Sequence, residues 1–196
     1  MVKSVMIVGV GGQGTLLASR IIAKTALNSG CDVKISEVHG MAQRGGSVVT
    51  FVRFGDKVYE PVIEPGCADV IIAFEKLEAL RYAHYLKKEG VIIVNDCAIA
   101  PMPVVIGAEK YPENIIEKLK SEHEVFAFDG QKITSALRNP KVLNIAILGY
   151  SATKIGFSLE DWLLAVESSV PNKTIEVNKE AFTLGYKSSD QGGLLL

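Results

Sequence analysis

Apolar residues along this chain fall into short continuous runs, and between the runs they recur at helical spacing. Val5-Met6-Ile7-Val8 is β-rich and uninterrupted, the pattern of a parallel strand covered on both faces. The turn Gly9-Val10-Gly11-Gly12-Gln13-Gly14 follows it. Leu16, Leu17, Ile21, Ile22 and Leu27 then repeat with helical periodicity until Asn28-Ser29-Gly30 stops the helix. Residues 32–38 supply a second strand and complete a right-handed βαβ unit. A polar, glycine-rich loop occupies 39–46. Residues 47–54 alternate like a half-exposed strand, and Gly55-Asp56 reads as a hairpin turn into Lys57-Val58-Tyr59.

Farther on, 69–74 reads as a buried strand, 75–88 as a helix with Leu77, Leu80 and Ala83 inward, and 91–94 as another strand. The crossing Pro101-Met102-Pro103 breaks the alternation before a helix at 113–120 and a strand at 125–128. Asp129 is placed to cap a further helix. Residues 144–153 form a buried helix whose Ala146, Gly149, Ser151 and Ala152 permit close packing, and 159–168 and 173–186 are amphipathic. The pattern predicts a three-layer, Rossmann-like α/β domain over 1–187, with a mostly parallel sheet, an antiparallel excursion and a helical C-terminal section. Residues 188–196 are expected to fray.

Composition narrows the function. The chain has 196 residues, 48% of them hydrophobic, enough for a sizeable core without disulfide or metal staples. Its 21 Lys and Arg against 22 Asp and Glu give no broad attraction for nucleic-acid phosphates. The apolar runs are too short to cross a bilayer, and the amino terminus lacks a signal-peptide pattern. Cys31, Cys67 and Cys97 are isolated, so they are expected to be reduced, small buried hydrophobes in a cytoplasmic protein. They cannot supply four thiolates to an iron–sulfur cluster, and the single histidines His39, His84 and His123 suggest neither a zinc site nor a catalytic base.

Two loops carry the candidate chemistry. Gly9-x-Gly11-x-x-Gly14 fits the dinucleotide fingerprint in its proper place, after a strand and opening a helix, where free amides meet a pyrophosphate. Glu37 stands where such a site binds a ribose hydroxyl. The same turn also serves tight packing with no nucleotide, and Gly12-Gln13 is unusual for a nicotinamide site. Arg44-Gly45-Gly46 could grip a phosphate or carboxylate while its glycines lie against a ligand or partner backbone. Both loops leave carboxyl ends of strands expected to be adjacent, so they should converge. No phosphate loop, nucleophile elbow or thiamine diphosphate signature is present in the sequence.

Taken together, the glycine turn, the run from Glu37 through His39-Gly40-Met41-Ala42-Gln43-Arg44-Gly45-Gly46 to Val48, and Val52-Arg53-Phe54-Gly55 resemble the gamma-type subunits of 2-oxoacid:ferredoxin oxidoreductases. Asn144, Leu148-Gly149, Asn178, Ala181-Phe182 and Gly185-Tyr186 match later landmarks of that family. The loop is most similar to its indolepyruvate type, in the beta subunit. The resemblance implies a subunit without its own catalytic residues. Thiamine diphosphate and iron–sulfur clusters would lie on a larger partner subunit, and ferredoxin would take the electrons. The reaction would oxidatively decarboxylate indolepyruvate and other aryl pyruvates to acyl-coenzyme A. Gly11, Gly12, Gln13, Gly14, Arg44, Gly45 and Gly46 would touch shared coenzyme A or the partner. Alternatives are a pyruvate or 2-oxoglutarate gamma subunit, a stand-alone NAD(P)-binding reductase, or a non-catalytic nucleotide-binding module.

Overall fold

The computed structural model describes residues 1–40 and 45–190. Its strands are β1 (Lys3–Val10), β2 (Asp32–His39), β3 (Ser47–Gly55), β4 (Ala68–Ala73), β5 (Leu86–Asn95) and β6 (Glu124–Phe128). They form one sheet in the order β2-β3-β1-β4-β5-β6. β1, β4, β5 and β6 are parallel, with Val5 beside Val70 and Val70 beside Val91, whereas β3 runs antiparallel to both β1 and β2.

The helices are α1 (Thr15–Asn28), α2 (Lys76–Tyr82), α3 (Met102–Val105), α4 (Ile115–Glu122), α5 (Gly130–Ala136), α6 (Leu143–Ile155), α7 (Leu159–Glu167) and α8 (Ile175–Asp190). Alternation along β1 divides its side chains between two cores. Val5 and Ile7 join the face covered by α1 and the C-terminal helices, where Ile21, Ile145, Trp162 and Phe182 are buried. Met6 and Val8 join the opposite face, under Leu77 of α2 and Leu119 of α4. Three layers result, as the unbroken apolar strands require.

Several expectations change in detail. β1 and β2 run in the same direction but are not neighbours, because β3 is inserted between them. The antiparallel excursion exists, yet the turn at Gly55-Asp56 leads into no strand. That loop is instead held by side chains: Val58 N–H donates to Asp32 Oδ2 at 2.9 Å, and Arg53 Nη1 donates to the Val62 carbonyl at 3.1 Å. β3 is buried on both faces and β2, at the edge, is the exposed strand. Leu16 and Leu27 of the α1 repeat face solvent.

The helix expected over 75–88 is shorter, since a 3₁₀ turn over Ala83–Tyr85 brings Leu86 into β5. The proline crossing contains the short α3, and α8 continues to Asp190, beyond the expected end at 186. None of the three cysteines is a buried hydrophobe: Cys67 is exposed and the other two are half-buried. No helix among the described residues is long and apolar enough to cross a membrane.

Candidate functional site

β1 ends at Val10 and α1 begins at Thr15, so Gly11–Gly14 form the strand-to-helix turn expected from the sequence. Gly12 and Gly14 have φ of 100° and 83°, left-handed values that penalise residues bearing a Cβ. A Cβ on Gly14 would stand 2.5 Å from Asn144 Nδ2, and that amide donates to the Gly14 carbonyl at 3.4 Å. Asn144 of α6 therefore lies under the turn, a role its place in the sequence gave no means of seeing. A Cβ on Gly12 would meet nothing within 4 Å. One glycine seals the turn against the protein and the other opens it to the outside.

Gln13 turns inward. Its Oε1 accepts from Val10 N–H at 2.7 Å and its Nε2 donates to the Phe74 carbonyl at 3.0 Å. Phe74 follows β4, the parallel neighbour of β1, and α1 and α2 leave these two strands toward opposite faces. The crevice between such strand ends is the usual ligand position in open α/β sheets. Here the Gln13 amide bridges it, and the Phe74 carbonyl also accepts from Asn95 Nδ2 at 3.3 Å and Cys97 Sγ at 3.1 Å.

The open space lies on the other flank of β1. Gly11, Gly12, Gly14, Thr15 and Leu16 border a cavity of about 400 Å³ with Glu37 and His39 of β2 and Val48 of β3. The insertion of β3 creates it, because β2 is pushed one strand away and its end becomes the far wall. Glu37 reaches this space from β2, exposed and one strand farther from β1 than in the dinucleotide fingerprint, with Thr50 Oγ1 donating to it at 3.4 Å. The first-turn amides of α1 have no intrahelical acceptors, no side chain caps them, and no acidic residue offsets the helix dipole there. The wall thus combines anion-attracting amides, apolar Leu16 and Val48, and a carboxylate suited to a hydroxyl. His39 lines the space, its Nδ1 3.2 Å from the Gly40 carbonyl.

The two loops meet as expected, although their strands are not adjacent: Gly11 N–H donates to the Gly46 carbonyl at 2.8 Å. Gly45 is exposed, with φ of 76°. Arg44, with Met41, Ala42 and Gln43, lies outside the described residues. Ser47, the first residue of β3, donates from Oγ to Glu78 Oε2 at 2.5 Å and lies 3.2 Å from the Tyr82 hydroxyl. Burial pushes the Glu78 carboxyl above its ordinary value, opposed by the Ser47 hydrogen bond and by Arg81, whose Nε is 3.4 Å away.

Glu75, at the cap of α2, accepts from Glu78 N–H at 2.9 Å, from Ile99 N–H at 3.1 Å and from the Tyr111 hydroxyl at 2.5 Å. Burial, and then its bond to Glu75, drive the Tyr111 hydroxyl far above the normal tyrosine range. These carboxylates went unnoticed in the sequence. Their signal is a pair of glutamates three apart, directly after a buried strand. Among the described residues, no group of three or more His, Cys, Asp or Glu is placed to hold a metal ion.

Residues 4–188 match the family model described as pyruvate ferredoxin/flavodoxin oxidoreductase. The chain belongs to that family. It is 41% identical over 195 residues to the indolepyruvate oxidoreductase subunit IorB of Thermococcus kodakarensis, covering 96% of each chain. It is 28% identical over 193 residues to the pyruvate/ketoisovalerate oxidoreductases common subunit gamma of Pyrococcus furiosus, covering 93% of this chain and 94% of the relative. In fold it matches the crystal structure of the keto/oxoacid ferredoxin oxidoreductase gamma subunit from Geobacter sulfurreducens. That match has a TM-score of 0.71 and 25% identity, and covers 96% of this chain and 99% of the other. The likeness extends over whole small subunits. The chain is accordingly a gamma-type subunit of a keto/oxoacid ferredoxin oxidoreductase, and the sheet-edge cavity is a feature of that subunit.

Proposed function

We propose that the chain is the small subunit of an indolepyruvate ferredoxin oxidoreductase, a cytoplasmic enzyme that oxidatively decarboxylates aryl pyruvates to acyl-coenzyme A and passes electrons to ferredoxin. In this reading thiamine diphosphate and the iron–sulfur clusters belong to the larger subunit, and thiamine supplies the stabilised carbanion that decarboxylation needs. The small subunit contributes binding, not proton transfer. Gly11, Gly12 and Gly14 with the first turn of α1 hold an anionic part of shared coenzyme A, Glu37 meets a hydroxyl of it, and Arg44, Gly45 and Gly46 bind it or the partner. Gln13 acts from behind as the brace of the turn.

The observation that carries this reading is the cavity itself. Its rim at Gly12 is open, with nothing within 4 Å of where a Cβ would stand, and the amide-bearing start of α1 lies beside it. Identity of 41% to an indolepyruvate oxidoreductase subunit, against 28% to a pyruvate/ketoisovalerate one, favours the aryl substrate over the pyruvate alternative. A stand-alone NAD(P) reductase is disfavoured, because the Gln13 amide bridges the crevice between β1 and β4, where such a cofactor would lie.

The test is co-expression with the larger subunit, followed by assay of ferredoxin reduction with indolepyruvate, phenylpyruvate, pyruvate and 2-oxoglutarate. Co-purification and coenzyme A-dependent turnover highest on the aryl pyruvates are expected. Preference for pyruvate or 2-oxoglutarate would overturn the substrate, and activity of the larger subunit alone would overturn the division of labour. Arg44→Ala is expected to weaken coenzyme A affinity or assembly; no change in either removes that loop from the site.

A further inference from the structure

Two surfaces at this end of the sheet are joined by a line of hydrogen-bonded polar groups, buried at Glu75 and Glu78. One end is the cavity wall, where Gly11 bonds Gly46 and Ser47 begins β3. The other is the segment 97–111. From Cys97 to Ala108 it contains no charged residue, and α3 within it buries none of its residues. Met102, Val105 and Ile106 are 67%, 63% and 69% exposed.

A free, apolar crossing of this kind has little packing to hold it, yet its two ends converge on one atom: Ile99 N–H and the Tyr111 hydroxyl both donate to Glu75 Oε1. The other oxygen of Glu75 accepts from Glu78 N–H, and the Glu78 side chain accepts from Ser47. Glu75 is 1% exposed and Glu78 5% exposed. Arg81 is the cation that pairs with Glu78.

Two carboxylates buried one helical turn apart are costly groups for a fold to retain, and apolar replacements would serve packing at least as well. Neither lines the cavity. Their bonds reach the segment on one side and the site loop on the other.

We propose that Glu75 and Glu78 form a coupling element that ties segment 97–111 to the Gly11–Gly46 wall of the cavity, so that restraint or release at either end is felt at the other. The first turn of α2 is the rigid member between them. Restraint of segment 97–111 would thereby steady the cavity rim, and filling the cavity would steady the segment by the same free energy. The inference concerns this chain's own bonds and holds whatever ligand the cavity takes.

Amide hydrogen exchange on the full chain, resolved by residue, tests it. Tyr111→Phe removes one hydroxyl at the far end, and Glu75→Gln weakens the middle. Each is expected to speed exchange of the Gly11 amide, which is bonded to the Gly46 carbonyl, by about fivefold or more, along with those of 97–111, while α8 is unchanged. Acceleration confined to 97–111, or none at all, would overturn the coupling. Should Glu75→Gln loosen the whole molecule, Tyr111→Phe decides.

Discussion

Two regions of this molecule are rich in glycine for opposite reasons. In the seam between α6 and α8, a Cβ on Gly149 would stand 2.1 Å from the Phe182 carbonyl oxygen, and one on Gly185 would stand 2.0 Å from that of Ala146. These glycines let two helical backbones touch, and Trp162 and Phe182 pack in the same core. At the sheet edge, Gly12 and Gly45 have positive φ and open space where a Cβ would go. Nothing in the chain's own packing requires them to be small. Their left-handed backbone favours glycine, and the open side leaves room for whatever approaches from outside. Gly14 stands between the two cases, with a cavity on one side and Asn144 on the other.

The comparison orders the expected effects of substitution. Gly149→Ala or Gly185→Ala forces two helices apart and should cost about 3 kcal/mol or more, read as a large fall in the denaturation midpoint or as insoluble chain. A loss under about 1 kcal/mol would show that the seam yields easily and is not the rigid region. Gly14→Ala combines a left-handed backbone with displacement of Asn144 and should cost about 1–2 kcal/mol in the same measurement. Asn144→Ala made in the same chain should remove the steric part but leave the backbone part; full additivity of the two would contradict the contact.

Glu78 of α2, on the other face of the sheet from the α6–α8 seam, has an effect that depends on pH. Burial raises its carboxyl value in the folded chain, with Ser47 and Arg81 opposing. The folded state therefore keeps a proton that the unfolded chain has already released. The stability this contributes is full below the ordinary glutamate range and is lost as pH rises through the folded value. Glu78→Gln does not titrate, so wild type should compare best with the variant in acid and progressively worse toward neutrality, in denaturant melts from about pH 4 to 8. The opposite slope would mean that Ser47 and Arg81 outweigh burial.

How much of this was legible in the sequence follows the same division. The unbroken run of β1, the turn after it and the small residues of α6 each have one solution, and all three stand where the pattern put them. The position of β3 was not legible. Thr50 and Arg53 made it look half-exposed, yet Thr50 is buried against Glu37 and Arg53 reaches loop carbonyls through Nη1 while its buried Nε has no partner, so a covered strand carries polar residues that the pattern assigned to solvent. That misreading also hid the cavity, which exists because β3 separates β1 from β2. The glycine turn pointed to the site and included Gln13 as a ligand contact, whereas the inward bracing by Gln13, and the contacts of Asn144 and Glu75, reach groups distant in sequence and left no local pattern.

Gly12→Ala should have the smallest effect on the isolated chain, about 1 kcal/mol of backbone strain with no clash. It is also the most direct probe of what the sheet edge is for. Coenzyme A affinity of the enzyme assembled from this variant and the larger subunit is the deciding measurement, with the melting temperature of the small subunit as control. The expected result is weaker coenzyme A binding with little change in melting temperature. Unchanged affinity in a normally assembled enzyme would contradict the account, and backbone conformation alone would then explain the open glycines.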